Sequence, residues 1–152
     1  MGILFRSKSC AKWGVVTSKA KPLIAIVDDD ESVCRAIKRL VRSLGMEAEA
    51  FTSGRDFIEL IDAMPSFQPD CLILDVQMPG MNGLDVQQQL VSRSSLLPIV
   101  FITAHDEMGV RERALSAGAL AFLRKPFNDE LFIETLTAAV KRDTSGRQGE
   151  LP

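Results

Sequence analysis

One carboxylate closes an apolar run: Cys71-Leu72-Ile73-Leu74 leads to Asp75, and the chain then turns through Met78-Pro79-Gly80 to Asn82-Gly83. A short apolar run ended by turn residues reads as a strand buried on both faces. Ligand sites of α/β sheets lie at the carboxyl ends of such strands. Taken alone, Asp75 could equally be a strand-end aspartate that caps a turn. Three other segments repeat the pattern. Leu23-Ile24-Ala25-Ile26-Val27 runs into Asp28 and Asp29, Ile99-Val100-Phe101-Ile102 into Thr103, and Ala119 to Arg124 into Lys125. Each has an ordinary reading by itself: a capping Asp, a surface Thr, a solvated Lys. In a parallel sheet, however, all four ends share one edge, and four reactive ends together are a poor fit to chance.

These residue types make sense as a set. Three carboxylates at one edge repel, which raises their pKa values. A divalent cation relieves that repulsion. Oxygen ligands without His or Cys select a hard ion, and few protein ligands with retained waters suit Mg²⁺. A cation beside a carboxylate can position a phosphoryl donor for attack by that carboxylate. Lys125 adds positive charge and Thr103 a hydroxyl donor for the transferred oxygens. The implied chemistry is formation and hydrolysis of an aspartyl phosphate.

The elements that must position these groups alternate along the chain. After the first strand, Glu31 to Leu44 reads as a helix, with Val33, Ile37, Leu40, Val41 and Leu44 on its apolar face and Gly45 as its stop. Glu47 to Thr52 reads as a short second strand. Ser53 is placed to cap a helix over 54–64, with Phe57, Leu60, Ile61 and Met64 apolar. Asn82 is placed to cap a third helix carrying Leu84, Leu90 and Val91. A weaker helix spans about 107–117, closed by Gly118; its Gly109 and few large apolar residues predict marginal stability. Asn128 or Asp129 caps a last helix reaching about Arg142, with Phe132, Leu136, Ala139 and Val140 inward. Five rounds of strand then helix argue a parallel sheet covered on both faces, an α/β fold of three layers.

The 152 residues suit one domain with a full core. Apolar residues make up 46%, too many for a disordered chain. A net charge of −2 gives no basic footprint for nucleic acid. The three cysteines, Cys10, Cys34 and Cys71, have no paired spacing, and Cys34 and Cys71 fall in apolar patterns as reduced core residues. Apolar runs fall short of the ~18–20 residues needed to span a membrane, and 1–21 lacks the features of a secretory signal. The expectation is a cytoplasmic protein without direct nucleic-acid or membrane contact. Residues 1–21 carry five Lys/Arg, no acid and the single Trp, Trp13, and read as a flexible basic extension. Residues 22–142 form the domain and 143–152 a polar tail.

In its motifs the chain resembles a two-component response-regulator receiver domain of the CheY-like superfamily, over about residues 22–142. The pieces that carry the resemblance are IVDDD, LILDVQMPGMNG, FITAH and AGALAFLRKPF, in that order. The spacings, 28 residues from Asp75 to Thr103 and 22 from Thr103 to Lys125, are in keeping with it. ITAHDE with KPF is similar to the FixJ-like subgroup. The resemblance implies a flavodoxin-like (βα)5 fold with strand order 2-1-3-4-5. It implies Asp75 as phosphoacceptor, Asp29 as a direct Mg²⁺ ligand, Asp28 as a water-mediated one, and the Gln77 backbone carbonyl as a third protein ligand. Thr103 and Lys125 would hold the phosphoryl oxygens, and the Lys125–Pro126 bond would be cis. Gln77 and His105, two residues beyond Asp75 and Thr103, would tune the lifetime of the phosphate. The protein would promote its own phosphorylation and dephosphorylation without being a conventional enzyme.

Neighbouring families fit less well. A haloacid-dehalogenase-like phosphatase needs a second Asp two residues after the nucleophile, where this chain has Gln77. A flavodoxin would need the first loop to cradle a phosphate, which three acids there would repel. A degenerate receiver would lack a site residue. The implied partners are a sensor histidine kinase or phosphotransfer protein upstream. Downstream stands a partner protein or a second copy, engaged through helix four, strand five and helix five. The switch would run through Thr103 and Phe122: Phe122 leaves solvent and fills space vacated when Thr103 turns to the phosphoryl group. The length favours a stand-alone receiver, the alternative being the receiver piece of a FixJ-like transcription regulator.

Overall fold

The computed structural model describes residues 21–105 and 107–149, with side-chain surroundings given as far as Lys141. Trp13, Cys10 and nearly all of the basic extension lie outside the described residues. The strands are β1 (Leu23–Val27), β2 (Glu47–Phe51), β3 (Cys71–Asp75), β4 (Ile99–Thr103) and β5 (Ala121–Arg124). The helices are α1 (Glu31–Ser43), α2 (Gly54–Ala63), α3 (Gly83–Ser92), α4 (Val110–Ser116) and α5 (Asp129–Gly149). All neighbouring strands pair parallel, in the order β2-β1-β3-β4-β5. This is the flavodoxin-like arrangement.

Alternation of side chains splits the core in two. Ala25, Val27, Leu72, Leu74 and Phe101 point to the face covered by α2, α3 and α4, through Phe57, Ile58, Val86, Leu90, Val110 and Ala114. Ile24, Ile26, Ile73, Val100 and Ile102 point to the other, covered by α1 and α5 through Cys34, Ile37, Val41, Phe132, Leu136 and Ala139. Strands β3 and β4 are buried along their whole length, as central strands of a doubly covered sheet should be. Cys34 and Cys71 are free and buried in the second core.

Helix starts follow local chemistry. Ser53 Oγ accepts the Asp56 N–H at 3.0 Å, and Asn128 Oδ1 accepts the Leu131 N–H at 3.2 Å. Asn82 and Asp85 form a reciprocal capping box. Three boundaries and two positions differ from the sequence pattern. Helix α4 starts at Val110, because Gly109 takes a left-handed φ of 84° and ends the turn before it. Strand β5 starts at Ala121: the Ala119 N–H goes back to Ala114 to close α4. Met64 and Val91, counted among the apolar residues of their helices, are 47% and 52% exposed; Met64 is already past the end of α2, and Val86 and Leu90 fill the space under α3. Helix α5 runs past Arg142 to Gly149, across a stretch, DTSGRQG, that has no apolar residue to mark a helical period.

Candidate functional site

Parallel pairing delivers the strand ends to one edge. In register Asp75 stands beside Ile102, and Thr103 beside Arg124. The order β1-β3 at the centre puts the acids after β1 next to Asp75, at the point where the sheet's winding reverses. Carboxylate oxygens of Asp28, Asp29 and Asp75 lie within 4.8 Å of one another.

The run Asp28-Asp29-Asp30 divides into three jobs. Asp28 is fully buried; Oδ2 accepts from Lys125 Nζ at 2.7 Å and Oδ1 from the Asp30 N–H at 2.9 Å. Asp29 is exposed and stands at the mouth of the cluster. Asp30 caps α1, its Oδ1 accepting the Ser32 N–H at 2.9 Å and the Ser32 hydroxyl at 2.6 Å. Beneath the loop, the Cys34 thiol donates to the Asp28 carbonyl at 3.2 Å. Burial first, then the Asp28 charge, raises that thiol's pKa and keeps it protonated.

Lys125 is the counterweight. Its Nζ also lies 3.7 Å from Asp75 Oδ1. Its backbone N–H donates to the Thr103 carbonyl at 2.7 Å, and the Lys125–Pro126 peptide is cis. Burial by itself would lower the ammonium; the Asp28 hydrogen bond and the charges of Asp28, Asp75 and Asp30 reverse this and hold it above its ordinary value. Asp75 is nearly buried, and its carboxyl is pushed up to about 6. Burial is the main cause, with the Asp28 charge next; Lys125 opposes, Asp29 adds, and the Gln77 backbone N–H opposes again. Three carboxylates facing one ammonium leave an excess of negative charge. Oxygen-only donors in such a cluster fit a hard divalent cation.

The remaining residues are placed less simply. Thr103 is buried, and its hydroxyl is held by its own loop: Oγ1 donates to the His105 carbonyl at 2.9 Å and accepts the His105 N–H at 3.2 Å. The Gln77 side chain is bonded to Glu107 of the loop after β4, Nε2 donating to Oε2 at 2.9 Å. His105 is exposed. Phe122 departs from expectation. Instead of standing in solvent it is 8% exposed, its ring 6.1 Å from that of Phe101 on the α4 side of the sheet. Register explains this: Phe122 pairs with Phe101, whose side chain belongs to that inner core.

Three residues of this neighbourhood carry no mark in the sequence pattern. Glu107 meets Gln77; Arg111 donates to the Phe122 carbonyl at 3.3 Å with its guanidinium 5.9 Å from the ring centroid. Gln87, buried in α3, donates to the Ala114 carbonyl of α4 at 2.9 Å. Each contact joins two different elements or loops, which periodicity within one element does not register.

Residues 24–137 match the family model described as the response regulator receiver domain. Nodulation protein W of Bradyrhizobium diazoefficiens is 37% identical over 137 residues, 90% of this chain and 59% of that protein. A solved response regulator receiver protein from Burkholderia phymatum is 57% identical with a TM-score of 0.73, over 80% of this chain and 96% of that one. A solved FixJ-N structure is 27% identical with a TM-score of 0.72, over 81% and 96%. The chain thus spans about 60% of the curated relative's length.

Proposed function

The chain belongs to the response-regulator receiver family, and on that premise we propose that Asp75 accepts a phosphoryl group from a histidine kinase or phosphotransfer protein. The observation that carries this is the cluster itself: three carboxylates within 4.8 Å, with Lys125 Nζ 2.7 Å from one and 3.7 Å from another. In the transfer, an Asp75 oxygen bonds to phosphorus, the phosphorus–nitrogen bond of the donor breaks, and the imidazole leaves with the electron pair. Lys125 stands close enough to hold a phosphoryl oxygen. Thr103 would release the His105 carbonyl and donate its hydroxyl to another.

Mg²⁺ would be held by Asp29, Asp75 and the Gln77 backbone carbonyl, with Asp28 supporting it through water. Both Asp28 oxygens already have protein donors, whereas Asp29 is exposed, which favours Asp29 as the direct ligand. When bound, the ion supplies positive charge to the phosphoryl oxygens. The output face of this proposal is the one made by α4, β5 and α5, with Thr103 and Phe122 as the link. The test is incubation with acetyl phosphate and Mg²⁺, read by intact mass. Wild type gains one phosphate and Asp75→Asn gains none; labelling of the variant would overturn the assignment. In calorimetric titration with Mg²⁺, Asp29→Ala loses more affinity than Asp28→Ala.

A further inference from the structure

The Gln77–Glu107 bond has no part in the chemistry above. It joins the loop after β3 to the loop after β4, two residues beyond Asp75 and four beyond Thr103. The two side chains are 30 positions apart in the chain, and the β3–β4 pairing is what brings their loops together. Both are exposed, whereas the Asp75 carboxylate is buried beside Asp28 and Lys125, so the bond bridges at the surface the two loops that leave the strands ending in Asp75 and Thr103. The donor is a neutral amide and the acceptor a carboxylate, a pairing stronger than neutral–neutral bonds.

Resting on the proposed role of Asp75, we infer that Glu107 is a positioning residue that pins the Gln77 carboxamide across the opening of the phosphoacceptor site and slows hydrolysis of the aspartyl phosphate. In that hydrolysis a water oxygen bonds to phosphorus and the bond from phosphorus to the Asp75 oxygen breaks. The carboxylate leaves with the electron pair, and inorganic phosphate keeps both of the water's protons or releases one to solvent. Attack must come in line with the leaving carboxylate oxygen, hence from the side away from the Asp75 side chain, where the loops meet. A Gln77 amide tethered at Nε2 has fewer orientations in which to admit or align that water. Glu107 itself touches neither metal ligand oxygens nor the reacting atoms in this account; it acts through Gln77.

The experiment loads the full chain with acetyl phosphate and Mg²⁺, removes the donor and follows decay by intact mass. Glu107→Ala speeds decay about fivefold, which is about 1 kcal/mol at 1.36 kcal/mol per tenfold. Glu107→Gln, which keeps an acceptor oxygen for Nε2, decays close to wild type. Gln77→Ala decays about as fast as Glu107→Ala, and the double variant no faster than either. Unchanged or slower decay in Glu107→Ala overturns the inference. So does Glu107→Gln matching Glu107→Ala, which would assign the effect to charge, or additivity in the double variant. If wild type takes no phosphate, the proposed function fails instead. The tether is then judged on the unphosphorylated protein, where the Gln77 side-chain amide resonances must shift in Glu107→Ala and hold in Glu107→Gln.

Discussion

Helices α3 and α4 follow one another on the same face of the sheet, yet they are held by opposite means. α3 opens with a capping box from Asn82 and Asp85, and its first residue, Gly83, lies against the backbone of Asp75. A Cβ there would stand 2.3 Å from the Asp75 carbonyl oxygen, and the Gly83 N–H already donates to the Val76 carbonyl at 2.8 Å. α4 has seven residues, starts from a left-handed Gly109 without a side-chain cap, and buries only Val110 and Ala114. Its remaining holds are two side chains, Gln87 from α3 and Arg111 reaching to β5. The contrast separates two kinds of support: α3 is fixed against the Asp75 backbone, whereas α4 rests on few contacts, as a helix that responds to phosphorylation of Asp75 would have to under the proposed function.

The largest expected effect breaks the rigid half. Gly83→Ala must push α3 off the Asp75 backbone, because no flexible side chain is there to give way. A loss of about 3 kcal/mol or more is expected in chemical denaturation, together with slower acetyl phosphate labelling. Gly109→Ala meets nothing within 4 Å and costs only left-handed backbone strain, about 1–2 kcal/mol. If Gly109→Ala proves the more damaging, the comparison between the helices is wrong.

A second prediction concerns the charge stored beside α3. The Asp75 carboxyl has a folded pKa of about 6 against an ordinary 3.8, so the folded state binds its proton more tightly than the unfolded state. Stability from this group is fully present below about pH 4 and lost as pH rises through about 6. Asp75→Asn removes the loss. Without divalent cation it should melt higher than wild type at pH 7.5, by up to about 3 kcal/mol, and the gain should vanish near pH 4. Adding Mg²⁺ should narrow the gap if the ion binds as proposed, because a ligand that binds only the folded wild-type cluster stabilises it. A variant no more stable than wild type at pH 7.5 would mean that Lys125 already compensates the cluster.

Much of this was legible before any coordinates. Apolar runs broken by Asp28, Asp75, Thr103 and Lys125 gave the strand ends, and parallel strands put ends on one edge. Ser53 and Asn82 marked helix starts because a cap is a local event, read over three residues. What was missed depends on tertiary contact. For Phe122, alternation assigns a face but not what covers that face, and the expectation of solvent fails because Arg111 and Phe101 cover it. Glu107 belongs to the ITAHDE motif, but nothing in that motif names its partner Gln77, and no pattern singles out Gln87. The triplet Gln87-Gln88-Gln89 gives no hint that only the first is buried. Asp30, one of three identical neighbours, turned out to be a cap only because α1 begins one residue later.

The smallest effects sharpen the comparison most, since they remove the two side chains that tie α4 to its neighbours. Of the polar side chains buried among the described residues, Asp28, Asp75 and Thr103 belong to the site; Gln87 does not. Its Nε2 donates to an Ala114 carbonyl that also accepts the Ala119 N–H at 3.0 Å, so Gln87 helps satisfy the carboxyl end of α4 from a neighbouring helix. Gln87→Ala should cost about 1–3 kcal/mol, the usual loss for a buried hydrogen bond left half-made. Arg111→Ala should cost less, about 0.5–1 kcal/mol, because Arg111 is itself exposed although it lies against the buried Phe122. Global stability is therefore the weaker readout for both. Local opening is better: amide exchange over 113–119 should quicken in each variant while α3 amides hold their rates. A helix stabilised by its own cap and core would lose nothing locally from either change. Equal quickening in α3 and α4 would mean the two helices open as one unit, and the separation of fixed and movable halves would fall. Exchange confined to α4 would instead identify Gln87 and Arg111 as the contacts that any movement of α4 on phosphorylation has to break or keep.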